Sequence, residues 1–342
     1  MKKKIGLYSE KIRSKTYTVA KAISMQDYEI YLITPEKENA VDNQHLLYLG
    51  KINKIKNIKV VSHPKTIKID YLYIELSNID LSPKIMDFLR IAGHLNVLYY
   101  RKKQFYIKNL FTDIKQIIKN YKILFRTESI GYIDGLYDFD LFSFFSRKYI
   151  IGFDVHSEFL ENEKLKHLMF AFEWMPQASR KFKINYMGNI NPQNRAQILK
   201  KIKSFLDESN IELKVLWIDY GNRISETRGV PPEKYIEYLS ESDFTLCPPG
   251  YERVTHRVIE ALVRGSIPVI NEDELYLYDM NLQNEVNCIA VKQGDWIAAI
   301  QKILNIEDNE LIQMRYNISA MKEKYLLPEV AAKRLRQKMG LE

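Results

Sequence analysis

Apolar residues in this chain gather into short runs, and polar stretches with a helical period separate them. In the first half the runs are Ile5–Tyr8, Tyr28–Ile33, Ile58–Val61, Tyr71–Leu76, Asn96–Tyr100 and Ile123–Arg126. Helical patterns predict Thr18–Ser24, Pro83–Ile91 and Phe111–Asn120 between some of them. The second half repeats the alternation. Strands are predicted at Ile184–Met187, Leu213–Ile218, Phe244–Leu246, Ile267–Ile270 and Asn287–Val291. Helices are predicted at Arg195–Glu208, Pro232–Leu239, Val258–Val263 and Trp296–Leu304. Short β-rich runs alternating with helices predict an α/β fold with largely parallel sheets. Because the theme occurs twice, the expectation is two Rossmann-like domains facing a cleft, the GT-B arrangement. Pro176 breaks the pattern, which sets the predicted domains at 1–174 and 175–318. A basic amphipathic helix, Leu327–Met339, lies in a tail of residues 319–342 that can pack back on the first domain or rest on a membrane face.

The length of 342 residues agrees with two cores rather than one. Apolar content of 46% excludes disorder as the main state. The net charge of +8 suits an anionic partner, whether nucleic acid, an acidic membrane face or an anionic substrate, or else a solvated Lys-rich surface. Helix-turn-helix, zinc-finger and aromatic RNA-binding signatures are missing, so no nucleic acid partner is expected. Cys247 and Cys288 both sit in apolar runs and read as buried thiols. The start, Met1-Lys2-Lys3-Lys4, lacks the apolar core of a signal peptide, and no run reaches membrane-span length. A cytoplasmic setting is expected, with peripheral contact to the inner membrane face through basic surface.

Candidate chemistry concentrates between Leu246 and Ile270. There a strand ends in Cys247 and a Pro248-Pro249-Gly250 turn, and a loop carries Arg253, Thr255 and Arg257. A helix bearing Glu260 follows, then Gly265 and a second strand. Such βαβ units place ligands at the carboxyl ends of their strands. Arginine forks and helix N-termini suit phosphates, and a carboxylate suits ribose hydroxyls. Thr255 starts the helix as an N-cap or a phosphate donor.

Four segments in order resemble the exostosin family of glycosyltransferases. Gly152-Phe153-Asp154-Val155 resembles a G-x-D-V element, and Arg180 to Gly188 resembles an R-K-x-L-x-x-F-x-G strand and loop with Arg195 downstream. Ser242 to Gly250 resembles S-x-F-C-L-x-P-x-G. Thr255 to Ala261, with Gly265 and Pro268-Val269-Ile270, resembles S-x-R-x-x-E-A-x-x-x-G-C-x-P-V-I. The likeness spans residues 150–305, and the first 150 residues carry no family segment. Glu158 stands where the family has Pro, Thr255 where it has Ser, and Ser266 where it has Cys. The last exchange marks that position as structural.

The resemblance implies a nucleotide-sugar donor, a UDP-sugar foremost, held by Gly188, Arg195, Arg253, Thr255, Arg257 and Glu260. Arg223 and Arg228 are further basic candidates. It also implies transfer without a metal or other cofactor, since such enzymes meet the leaving diphosphate with basic side chains. Asp138-Phe139-Asp140 has the spacing of a metal motif but lies in an aromatic stretch. Base candidates are Asp154 and His156, which the resemblance places near the cleft, and Glu128, expected at a strand's carboxyl end. His94 reads as structural. The function expected is hexosyl-type transfer to a glycan or glycolipid in surface polysaccharide assembly. A non-catalytic polyanion binder and a GT-B nucleotide-sugar epimerase are the alternatives. Acceptor, linkage, stereochemistry and oligomeric state leave no trace in the sequence.

Overall fold

The computed structural model describes residues 2–34, 42–62, 67–76, 92–99, 126–132, 147–151, 155–190, 193–209, 214–219, 229–250 and 253–342. The chain divides into two compact units, Met1–Gly152 together with Ala331–Glu342, and Phe153–Val330.

The first unit carries β1 (Lys4–Ser9), α1 (Ser14–Ser24), β2 (Glu29–Ile33), α2 (Asn43–Ile52), β3 (Ile58–Val61), β4 (Ile69–Leu76), β5 (Ala92–Tyr99), β6 (Thr127–Tyr132) and β7 (Arg147–Ile150). Its strands form one parallel sheet in the order β3-β2-β1-β4-β5-β6-β7. Ile5, Leu7, Ile30, Leu32 and Tyr73 are fully buried, as expected of parallel strands covered on both faces. α1 starts where the Thr16 hydroxyl accepts the Arg13 N–H at 3.0 Å. That hydroxyl also donates to the buried Glu75 at the end of β4, at 2.7 and 2.9 Å from its two oxygens.

The second unit carries α3 (Ser157–Glu161), α4 (Glu163–Met169), β8 (Phe182–Gly188), α5 (Gln193–Glu208), β9 (Val215–Asp219), α6 (Pro232–Ser240), β10 (Ser242–Leu246), α7 (His256–Val263), β11 (Ile267–Asn271), β12 (Ile289–Val291), α8 (Trp296–Asn305) and α9 (Asp308–Ala320). Its parallel sheet runs β12-β11-β10-β8-β9. Every residue of β10 is buried. Polar side chains inside the sheet therefore bond to one another where they can, although Asn185 Oδ1 is buried without a partner among the described residues. Asn185 on β8 donates to the Thr245 hydroxyl at 2.8 Å, and Thr245 and Ser266 share a hydrogen bond of 2.7 Å across the next strand. Ser266, read as structural from sequence, is thus bonded inside the core.

Two further features hold the unit. α7 ends at Gly265, whose φ of +69° suits the left-handed residue that closes a helix. A side chain there would overlap the Trp174 ring, which hydrogen-bonds the Val263 carbonyl at 2.9 Å. At the amino end of β10, Arg315 of α9 pairs with Asp243 and donates to the carbonyls of Pro176 (3.1 Å) and Ala178 (2.9 Å). Arg180 lies beside this pair and donates to the Ser242 carbonyl at 2.7 Å. Burial, then repulsion from Arg315, pushes its pKa down to about 9.

The final helix, α10 (Pro328–Met339), returns to the first unit. Ala332, Leu335, Met339 and Leu341 join the apolar core of β1 and α1. Tyr73 donates to the Met339 carbonyl at 2.7 Å, and Arg336 to the Ala22 carbonyl at 2.8 Å.

The structure corrects several sequence boundaries. The units divide after Gly152, not near Trp174, because Phe159, Leu160, Leu165 and Met169 pack into the second core. The returning tail is Ala331–Glu342 rather than 319–342, since α9 belongs to the second unit. Of the strand predicted at Ile123–Arg126 only Arg126 is described, and β6 begins after it, at Thr127. The predicted helices Pro83–Ile91 and Phe111–Asn120 lie outside the described residues. No described helix is long and apolar enough to cross a membrane.

Candidate functional site

In the second sheet β8 lies between β9 and β10, so successive connections leave it in opposite directions. Ligands of open parallel sheets bind at such a switch point, outside the carboxyl ends of the strands. Here those ends are Gly188 on β8 and Leu246 on β10, and both lead into loops built from small residues and proline.

Two arginines occupy this corner. Arg257, in the first turn of α7, lays its guanidinium over the Tyr186 ring, 5.0 Å from the centroid. Its Nε and Nη1 are buried and have no hydrogen-bond partner among the described residues. Arg195, at the start of α5, donates from Nη1 to the Asn189 carbonyl at 2.9 Å and from Nε to the Pro249 carbonyl at 3.1 Å. It thereby ties the loop after β8 to the loop after β10. Glycine makes both placements possible. A Cβ on Gly188 would overlap the Arg257 guanidinium, and one on Gly250 that of Arg195.

The electrostatics leave this corner positive. Burial, followed by repulsion from Arg257, pushes the Arg195 pKa down to about 10, so it stays a cation at neutral pH. Burial alone lowers the pKa of Arg257, but Tyr186, Tyr235, Cys247 and Glu260 together outweigh it and leave it raised. Among the described residues neither guanidinium is salt-bridged to a carboxylate. A buried guanidinium with unpaired N–H groups is costly unless an acceptor arrives.

Glu260 is buried on the same helix and turns elsewhere. One oxygen accepts the His156 N–H at 3.0 Å and the other the Tyr235 hydroxyl at 2.5 Å. His156 caps α3, and its ring meets His256 edge-on with centroids 5.3 Å apart.

The structure brings Gly188, Arg195 and Arg257 together, and joins Glu260 to His156. Thr255 occupies the N-cap of α7 without a capping bond, and its N–H donates to the Tyr278 hydroxyl at 3.0 Å. Arg253 turns away to Asp273, at 2.6 Å. Asp154, Arg223, Arg228 and Asp138-Phe139-Asp140 lie outside the described residues. Glu128 is corrected. As the second residue of β6 it sits at the strand's amino end, opposite the end where ligands bind, and pairs with His94 of β5 at 2.8 Å. Sequence reasoning missed Tyr186 and Tyr235, whose apolar neighbours made them read as core. An open depression of about 490 Å³ lined by Trp174, Arg180 and Arg264 lies at the amino-terminal side of the same sheet.

Comparison with known proteins bears on this geometry. A family model described as the RXYLT1 C-terminal domain matches residues 166–287, a span that holds β8 to β11. Ribitol-5-phosphate xylosyltransferase 1 of Danio rerio is 26% identical over 98 residues, covering 29% of this chain and 22% of that protein. The match thus spans about a fifth of the relative's length. Among solved structures, sucrose-phosphate synthase from Thermosynechococcus elongatus superposes with a TM-score of 0.54 at 12% identity, covering 99% and 98% of the two chains. HepE of Anabaena in complex with UDP gives 0.55 at 11% identity, over 99% and 100%. The same protein in complex with UDP-glucose gives 0.51 at 12% identity, over 98% and 99%. The fold is α/β with two parallel sheets, that of the GT-B glycosyltransferases.

Proposed function

We propose that the chain is a glycosyltransferase whose second unit binds a nucleoside-diphosphate sugar at the carboxyl ends of β8 and β10. One observation carries this reading: Arg257 holds two buried guanidinium nitrogens, Nε and Nη1, unpaired among the described residues, beside Arg195 at the switch point of a parallel sheet. A diphosphate supplies the missing acceptors and the missing negative charge. The xylosyltransferase relative and the neighbours solved with UDP and UDP-glucose support the same assignment.

In this reading Arg257 and Arg195 hold the diphosphate and stabilise it as it leaves, without a metal ion. Thr255 and Gly188 border it, and Arg253 joins them by exchanging Asp273 for phosphate. A carboxylate oxygen accepts two hydrogen bonds, so Glu260 can hold ribose hydroxyls while still anchoring the His156 backbone. In this reading His156, whose backbone bonds Glu260, serves as the base. The finer reading, exostosin-like kinship with transfer of a hexose to a glycan or glycolipid of the cell surface in a cytoplasmic setting, draws on the quoted segments and the basic composition.

A thermal-shift series with UDP, UDP-sugars and GDP-sugars tests the donor. A ligand at a hundred times its Kd stabilises the native state by about 2.7 kcal/mol, a rise of roughly 5–10 °C for a unit of this size. The expected result is such a rise with a UDP-sugar, kept in excess EDTA. Melting temperatures that ignore every nucleotide would refute the reading, and a rise only with added metal would refute the metal-free form of it.

A further inference from the structure

The connection after β11 carries a second set of unsatisfied groups that no role above uses. Asn271 ends β11, and Glu274 follows in a 3-10 turn, Glu272–Tyr278. The Asn271 Nδ2 donates to Glu274 Oε1 at 3.2 Å. With Glu274 ionised, only the NH₂ group can donate to it, which sets the amide orientation. It leaves Asn271 Oδ1 and Glu274 Oε2 buried and without partners. Glu274 is only 3% exposed, and burial pushes its pKa up to about 7.

These acceptors lie one strand over from the arginine corner. β11 pairs with β10 through Leu246 and Val269, and neighbouring strands are about 4.8 Å apart. The buried Cys247 thiol, between the two places, is within electrostatic reach of Arg257, Arg195 and Glu274. Unpaired donors therefore stand at the ends of β8 and β10, and unpaired acceptors at the end of β11. A diphosphate offers only acceptors, whereas a sugar ring offers hydroxyl donors. Resting on the donor reading above, we propose that Asn271 and Glu274 bind the hydroxyls of the transferred sugar and set which sugar is accepted.

The test compares UDP, UDP-glucose, UDP-galactose and UDP-xylose by calorimetry on the full chain and on the Glu274→Gln, Glu274→Ala and Asn271→Ala variants. The native protein is expected to separate the three sugars by about tenfold or more, since a site built to pair with a hydroxyl rejects a ligand that lacks or misplaces it. In Glu274→Ala and Asn271→Ala that spread should shrink to about twofold, with the affinity for UDP unchanged. Glu274→Gln keeps the shape of the site and reports on the charge; melting curves establish that each variant is folded. An unchanged sugar spread in folded variants, or an equal loss of UDP and UDP-sugar binding, overturns the inference while leaving the donor reading standing. Failure of the native protein to bind UDP or any UDP-sugar overturns both.

Discussion

Arg257→Ala is expected to lower the affinity for UDP by a factor of about 10² to 10⁴ while changing the melting temperature of the unliganded protein by only about 2 °C. The guanidinium offers two nitrogens, Nε and Nη1, whose N–H groups find no acceptor among the described residues. Hydrogen bonds to charged groups contribute about 1.5–3 kcal/mol each, and 1.4 kcal/mol is a tenfold change in affinity. In the free protein the change relieves the repulsion of Arg195 but loses the contact with Tyr186 and the attraction of Glu260, effects of opposite sign on stability. Arg257→Lys keeps the charge but not the planar fork, and should recover part of the affinity. Titration calorimetry with UDP beside melting curves separates the cases. A structural arginine would give the reverse pattern, with lost stability and unchanged nucleotide binding.

Arg315→Ala is expected to act the other way, removing about 3–5 kcal/mol of stability from the second unit, the usual cost of breaking a buried pair on one side. Arg315 is only 2% exposed, and Asp243, its partner, would stay buried with Lys183 as a distant counter-charge at 3.9 Å. Burial already raises the Asp243 pKa despite Arg315, Lys183 and Arg180. The carbonyls of Pro176 and Ala178 would lose their donor as well. A fall of about 10 °C in melting temperature should follow. Replacing both partners by leucine should cost less than Arg315→Ala, because Asp243 is not left as an unpaired buried carboxylate, although Arg180 and Lys183 lose its charge. A single variant that melts within about 2 °C of the native protein would show that solvent reaches the pair.

The contrast between these two arginines also shows what the chain discloses before folding. The alternation of strands and helices was legible because parallel strands are buried on both faces and read as continuous apolar runs. The Leu246–Ile270 segment was legible because Gly250, Arg257 and Gly265 each meet a geometric demand that few other residues satisfy. Gly188 stands where a Cβ would meet the Arg257 guanidinium, a contact that the sequence does not disclose. Arg257 and Glu260 are three apart on one helix, yet no hydrogen bond joins them. Arg257 turns to Tyr186, and Glu260 to Tyr235 and His156. Those partners come from other elements, and local spacing carries no record of them. Glu128 was misplaced because a shift of a few residues in one strand boundary moves a side chain from one end of the sheet to the other. Glu274 stands in an acidic run that reads as solvated surface, and its burial follows from the turn that folds it back under Asn271. Pro176 looked like a linker, whereas its carbonyl is gripped by Arg315.

The return of residues 331–342 to the first sheet has a consequence for the order of assembly. The second unit is one uninterrupted stretch of chain, and a ribosome delivers all of it before the first unit has received its last residues. Until then Tyr73 lacks the Met339 carbonyl, and the core around β1 lacks Leu335, Met339 and Leu341. The amino-terminal half, although made first, is the half that must wait, its apolar edge open throughout synthesis of the other. Chaperone binding and premature aggregation should therefore concentrate on the earlier-made unit.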